Sequence, residues 1–278
     1  MKKLIIPSIL AIFLSASCCN APKELQFEWK MAPNHGAITG VTAITGDIDA
    51  AIGTFDGEVY TAPSGRIFKG GPVASIAKAV ADAQPRLAYL KEVIGYSPEE
   101  MVVAEPECAL SNMLVDALRA EAESIWGVRM DMAIINIGGI RIDMPKGNVL
   151  LDDLKAMFPF ANTVSWAKIR GKDLRKLFDF LASSKIQPLS GVKLTVKDGK
   201  VKDVKIGGKP IQDGKLYNVA TIDFLLTGGD GIRLNAWSEG TKESDIIVQD
   251  FMIRYIRNLT AQGKMVEYPV DGRVTVEE

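Results

Sequence analysis

Histidine is almost absent from this sequence, since His35 is the only one among 278 residues. Catalytic zinc sites, serine–histidine triads and most two-metal hydrolytic centres need several imidazoles or a histidine base. Three cysteines are also too few for a dense disulfide framework. The sequence therefore argues against a self-contained, histidine-rich catalytic centre.

The sequence also has no excess of charge of one sign. Lysine and arginine number 33 against 34 for aspartate and glutamate, so the formal net charge is -1. Domains that bind nucleic acid usually carry a basic face, and we therefore predict no nucleic-acid partner. The hydrophobic fraction of 47% is ordinary for a globular protein, and the length suits one large domain with a modest extension.

The first residues have the pattern of an export signal. Lys2 and Lys3 precede an apolar stretch, residues 4–14, that is too short to span a bilayer, and small residues then lead to Cys18. The end of this pattern resembles the lipobox of bacterial lipoproteins, which implies acylation of Cys18. We predict a lipoprotein-type signal peptide over residues 1–17 and an exported protein, lipid-anchored in the bacterial envelope on its periplasmic or surface side. An ordinary cleaved signal peptide is the alternative.

The rest of the chain divides into an extension and a main domain. Residues 18–84 read as a polar tether, short strands and the start of a helix, in which apolar residues recur at helical spacing from Pro72. We expect this helix to break at Pro85 and to resume as far as Val93. Residues 85–278 form the main predicted domain.

Helices and strands mix in the main domain without strict alternation. Helical periodicity predicts a long helix over residues 107–126 and another that Ser244 caps and Gly263 ends. An Asp-Gly pair within residues 197–200 predicts a hairpin between two alternating strands. We therefore predict an α+β fold with mixed sheets and flanking helices.

Three loops at the ends of predicted elements carry residue types that packing alone does not require. In the first, residues 136–141 (Asn-Ile-Gly-Gly-Ile-Arg), Gly138 and Gly139 allow close backbone approach, and Arg141 offers a planar fork for phosphate or carboxylate. Taken alone, a glycine-rich turn with a surface arginine accounts for this loop better than a binding site does.

The other two loops each contain a phenylalanine. Phe160 follows a helix-stopping proline in residues 159–162, and Phe224 begins a segment that leads to a carboxylate, Asp230. The turn before that carboxylate contains Gly228 and Gly229.

Together the three loops predict a nucleotide site. Two aromatic rings can stack on a base, each contributing about 1–3 kcal/mol. Asp230 can accept hydrogen bonds from ribose hydroxyls, and Arg141 can pair with phosphate. Because ordering and desolvation reduce the sum, we expect a dissociation constant of roughly 10 μM to 1 mM for a simple nucleotide.

The same loops, in this order, resemble the C-terminal, substrate-binding domain of the 5′-nucleotidase / UDP-sugar hydrolase family. Residues 136–141 are similar to its Asn-x-Gly-Gly-x-Arg, residues 159–162 to its Pro-Phe-x-Asn and residues 224–230 to its Phe-x-x-x-Gly-Gly-Asp. The resemblance covers about residues 85–278. It implies the fold of that domain and a substrate-binding role for Asn136 (polar contacts), Arg141 (phosphate), Phe160 and Phe224 (base) and Asp230 (ribose).

Two departures from the family pattern bear on function. Ala104 stands where many members have another basic residue, which implies weaker phosphate binding or binding shared with another chain. Full-length members also carry a metallophosphoesterase domain whose Asp-x-His, Gly-Asp-x-x-Asp, Asn-His-Asp/Glu and Gly-His-x-His motifs hold two metals, and none of these motifs occurs here. We therefore expect neither a catalytic residue, a metal ligand nor a cofactor on this chain, and divalent metal ions on a separate catalytic chain.

These observations predict the nucleotide-binding, or specificity, subunit of a 5′-nucleotidase-type phosphohydrolase in nucleotide catabolism. One alternative is a lipid-anchored nucleotide- or nucleoside-binding protein without catalysis. The other is a domain that has kept its fold and lost its ligand.

Overall fold

The computed structural model describes Ala50 and residues 52–277. The predicted signal peptide, the lipidation site Cys18 and the single histidine lie outside these residues. None of the helices in the described part of the chain is both long enough and apolar enough to cross a bilayer.

Strands of two to ten residues alternate irregularly with helices along the chain. The strands are β1 Thr54–Asp56, β2 Val59–Thr61, β3 Ile67–Lys69, β4 Val93–Ser97, β5 Met132–Ile134, β6 Gly147–Leu150, β7 Thr163–Arg170, β8 Leu189–Ser190, β9 Val192–Lys197, β10 Lys200–Ile206, β11 Lys209–Pro210, β12 Leu216–Ile222, β13 Ser238–Ile247 and β14 Val274–Glu277. The helices are α1 Gly71–Leu87, α2 Ala109–Trp126, α3 Leu151–Met157, α4 Gly171–Ser183, α5 Asp223–Thr227, α6 Leu234–Trp237 and α7 Val248–Ala261.

The central sheet has five strands in the order β13-β7-β12-β5-β8. Strand β12 pairs antiparallel with β7 and parallel with β5. A second sheet, β11-β10-β9-β14, also mixes the two directions, because β14 runs parallel to β9. Mixed sheets with flanking helices confirm the predicted α+β fold.

Helix α2 covers the central sheet. Its leucines at four-residue spacing, Leu110, Leu114 and Leu118, are at most 1% exposed. The thiol of Cys108 accepts a hydrogen bond from Ser111 N at the start of the helix, and Gly127, at φ 63°, ends it in a left-handed conformation. The predicted helix over residues 107–126 is therefore present, beginning two residues later.

The predicted hairpin is present between β9 and β10. Asp198 and Gly199, which connect the two strands, have φ angles of 49° and 69°. Positive φ at both central residues of a two-residue turn matches the right-handed twist of the flanking strands.

The structure corrects two predictions about helix ends. Ser244 lies in β13 and not at a helix cap, because β13 stays paired with β7 as far as Ile247 and α7 begins only at Val248. Helix α1 continues through Pro85, and Val93 begins a strand. Pro85 has no N–H to donate to the carbonyl four residues earlier, and α1 ends two residues after it, at Leu87. The domain boundary predicted at residue 85 thus falls inside a helix.

Candidate functional site

The three loops predicted from the sequence leave the same edge of the central sheet. Ala220 of β12 lies beside Ala133 of β5 in a parallel pair, and Ile222 lies opposite Val164 in the antiparallel pair with β7. The ends of β5 and β12 and the start of β7 therefore meet at one edge. We call it the loop edge; it carries residues 136–141, 159–162 and 223–231.

The first loop folds over the side chain of Asn136. Gln187 accepts a hydrogen bond from Ile137 N through Oε1 (2.8 Å) and so holds the start of the turn. A Cβ added to Gly139 would lie 3.2 Å from Asn136 Oδ1, so the absence of a side chain at Gly139 lets the loop pack closely on Asn136. Asn136 is 7% exposed, and its Oδ1 is buried without a hydrogen-bond partner. A buried, unpaired acceptor is destabilising, and Asn136 lines a small cavity at the loop edge.

Arg141 is exposed at the end of this loop. Its Nη1 donates to Gly138 O at 3.3 Å, and its guanidinium carbon lies 5.9 Å from the centre of the Phe160 ring. A guanidinium has five N–H donors, so most of them are free of partners in the described part of the chain. The arrangement can receive an anion next to an aromatic face.

Phe160 is 46% exposed, whereas its neighbour Phe158 is 3% exposed and fills the core. Asn162 O accepts a hydrogen bond from Val248 N at 2.9 Å, which anchors the loop to the start of α7. One phenylalanine thus packs in the core, and the other lies at the surface.

Phe224 is 38% exposed and lies against the glycine turn that follows it. A Cβ on Gly229 would come within 2.2 Å of the Phe224 ring, so only glycine fits there. In the same turn Asp230 is exposed at φ 51°, and its carboxylate has no partner among residues 52–277. The rings of Phe160 and Phe224 are not among the ring pairs that contact each other in this part of the chain.

Sequence reasoning missed two residues that shape the loops, Gln187 and Asp223. Asp223 Oδ1 accepts hydrogen bonds from Thr163 N (3.1 Å) and Phe224 N (2.8 Å). An aspartate that directly follows a predicted strand is a common acceptor at helix starts, and this signal could have identified Asp223. No local pattern identifies Gln187, which is 50 residues from its partner.

The roomier groove lies away from the loop edge, and the cavity at the loop edge itself is small. A groove of about 550 Å³ lies beside α2 and β9, lined by Arg119, Lys193 and Arg273 among others. The cavity at the loop edge, lined by Asn136 and Phe160 among others, is about 10 Å³, the size of roughly one water molecule. We place the candidate site at the loop edge nevertheless, because Arg273 in the groove is already ion-paired.

The model of the 5′-nucleotidase C-terminal domain family matches residues 93–237, just over half of the chain. The chain belongs to this family. The resemblance predicted from the three loops is thereby confirmed.

Relatives and solved structures agree with this assignment. Protein UshA of Escherichia coli is 37% identical over 109 residues, which cover 36% of this chain and 19% of UshA. The trifunctional nucleotide phosphoesterase protein YfkN of Bacillus subtilis is 30% identical over 188 residues, 62% of this chain and 12% of YfkN. The 5′-nucleotidase precursor of Thermus thermophilus has the same fold, with a TM-score of 0.63 at 22% identity over 78% of this chain and 48% of that chain. The chain thus spans less than half the length of each of these proteins.

The acidic and sulfur-containing side chains of the described residues do not gather into a metal site. No three His, Cys, Asp or Glu side chains within residues 52–277 come together as a set that could hold a metal ion.

Proposed function

We propose that this chain is the nucleotide-binding subunit of a 5′-nucleotidase-type phosphohydrolase that acts in nucleotide catabolism. The observation that carries the proposal is the convergence of two exposed phenylalanines, an exposed arginine and an unpartnered carboxylate on one edge of the central sheet. Membership of the family supports the same reading.

In this proposal the ligand lies across the loop edge. The base stacks on Phe160 and Phe224, the ribose hydroxyls donate to Asp230, and the phosphate pairs with Arg141. Asn136 Oδ1, buried without a partner, accepts a hydrogen bond from the ligand. The four loop glycines, at positions 138, 139, 228 and 229, let the backbone lie close to these side chains.

Bond cleavage is assigned in this proposal to a separate metallophosphoesterase chain that carries two divalent metal ions. Those ions supply a metal-activated hydroxide and neutralise developing charge. The present chain presents the phosphate and excludes the wrong substrates. Acylation of Cys18 holds it at the envelope membrane on the exported side.

Calorimetry with AMP, adenosine and a UDP-sugar tests the binding role directly. We expect dissociation constants for nucleotides of roughly 10 μM to 1 mM, and phosphate release only when a metallophosphoesterase co-purified from the native envelope is added. Binding without any partner-dependent turnover would favour the receptor without catalysis. If no nucleotide binds or raises the melting temperature, the chain is a domain that has lost its ligand.

A further inference from the structure

One carboxylate joins the two loops that carry the aromatic rings. Asp223 is the first residue of α5, directly before Phe224, and its Oδ1 accepts from Phe224 N at 2.8 Å. The same oxygen accepts from Thr163 N at 3.1 Å, and Thr163 lies three residues after Phe160. A single atom therefore contacts the backbone of both loops.

The position of Asp223 follows from the end of the sheet. The ladder between β12 and β7 stops at the pair Ile222–Val164, because α5 turns away at Asp223. Thr163 N would then lose its acceptor on β12, and an unpaired buried amide is destabilising. The Asp223 carboxylate takes the place of the backbone carbonyl that would accept from Thr163 N if the β12–β7 pairing continued. The two chain segments therefore stay hydrogen-bonded one residue beyond the last strand pair.

Each loop has a second anchor that does not involve Asp223. Asn162 O accepts from Val248 N at 2.9 Å, and the Phe224 ring rests on Gly229. Without the carboxylate each loop would keep its own anchor, but the tie between the loops would be lost. The expected effect is a change in their separation and not the loss of either loop.

We propose that Asp223 is a positioning residue that sets the separation of the Phe160 and Phe224 rings and thereby governs base stacking. This inference rests on the proposed nucleotide-binding function. Stacking depends on ring geometry, whereas the ribose and phosphate contacts are made by other side chains. Asp223 therefore controls affinity for the base more than affinity for the sugar phosphate, because Asp230 follows later in the same loop and has the Gly229 turn to hold it.

The test compares two probes, AMP and ribose 5-phosphate, which differ by the base. We expect Asp223→Ala to weaken AMP binding by about five- to tenfold, part of what the loss of a stacked ring would give, and to weaken ribose 5-phosphate binding by less than about twofold. Asp203→Ala, which removes an exposed carboxylate paired with Lys205 on the second sheet, is the matched control and should change neither.

Two conservative variants separate geometry from charge. Asp223→Asn keeps an oxygen acceptor in place and should bind AMP within about twofold of the wild type, whereas Asp223→Glu keeps the charge but moves it by one methylene and should bind as weakly as the alanine variant. Amide hydrogen exchange at Thr163 should be faster in the alanine and glutamate variants only.

The outcomes distinguish this inference from the proposed function. If the wild type binds no AMP, both are overturned. If the wild type binds AMP and the alanine and glutamate variants bind it equally well, only the role of Asp223 is overturned. Equal weakening for AMP and ribose 5-phosphate would also overturn it, since that result indicates general damage to the site. If the alanine variant does not fold, the asparagine and glutamate variants decide.

Discussion

Two regions of this protein use the same kinds of polar side chain in opposite ways. One region, the C-terminal cluster, comprises Glu107, Asp116, Asp271 and Arg273. In it, Arg273 is 10% exposed and forms ion pairs of 2.9 Å with Asp116 and Asp271. At the loop edge, by contrast, Arg141 is exposed, and Asp230 has no partner among the described residues. The comparison separates charges that are paired within the fold from charges that form no ion pair within residues 52–277.

Two buried asparagines show the same difference. Asn112 is 1% exposed, and its Nδ2 donates to Glu107 Oε1 (2.7 Å) and to Pro269 O (3.1 Å). Asn136 is 7% exposed, and its Oδ1 has no partner. A buried unpaired polar group costs about 1–3 kcal/mol, so Asn136 is a source of local instability at the loop edge, whereas Asn112 is not.

Replacing Arg273 with alanine should have the largest effect on stability. The change leaves two carboxylates without their partner; for fully buried pairs this costs about 3–5 kcal/mol. Because Asp271 is half exposed, we expect a loss of about 2–3 kcal/mol in the free energy of unfolding, measured by urea denaturation. The melting temperature should fall by about 5–10 °C.

Arg141→Ala is the matched control for that variant. Its free energy of unfolding should stay within about 0.5 kcal/mol of the wild type, while its affinity for AMP falls and that for adenosine does not. Equal destabilisation by the two substitutions would remove the distinction between the cluster and the loop edge.

Phe224→Ala should have the next largest effect, this time on binding. Loss of one stacking ring removes about 1–3 kcal/mol, so AMP affinity measured by calorimetry should fall by roughly tenfold or more. Tyr96→Ala removes an aromatic ring that is 49% exposed and belongs to β4, not to any of the three loops, and should leave AMP affinity unchanged. An unaltered affinity in a folded Phe224→Ala variant would exclude Phe224 from the site.

The sequence predicts the loop edge better than it predicts the cluster. Phe160, Phe224 and Asp230 stand in short local motifs. Each motif lies at the end of a helix or strand that the spacing of its apolar residues predicts. The cluster joins Asp116 to Arg273, 157 residues apart, and no local sequence pattern predicts a contact over that separation. The error at Ser244 has a related cause. Strand β13 is an exposed edge strand with little alternation in its sequence, and its partner β7 is distant along the chain.

The pH dependence of stability should show the smallest effect. Hydrogen bonds from the Arg273 guanidinium hold the pKa of the Asp271 carboxyl below its ordinary 3.8, outweighing the partial burial that would raise it. Because the pKa of Asp271 is lower in the folded state than in the unfolded state, its ionised carboxylate stabilises the fold. This contribution to the free energy of unfolding is complete above the unfolded-state pKa of 3.8 and is lost as the pH falls through the folded-state pKa.

Asp271→Asn removes that contribution. At pH 7 the variant should be less stable than the wild type by under about 1 kcal/mol, since the carboxylate is half exposed and screened by solvent. The difference in urea denaturation should stay constant down to about pH 5 and shrink below about pH 4. Asp230→Asn, at the loop edge, should leave the free energy of unfolding at pH 7 within about 0.5 kcal/mol of the wild type. A difference for Asp271→Asn that grows in acid would show that folding raises the pKa of Asp271 and does not lower it.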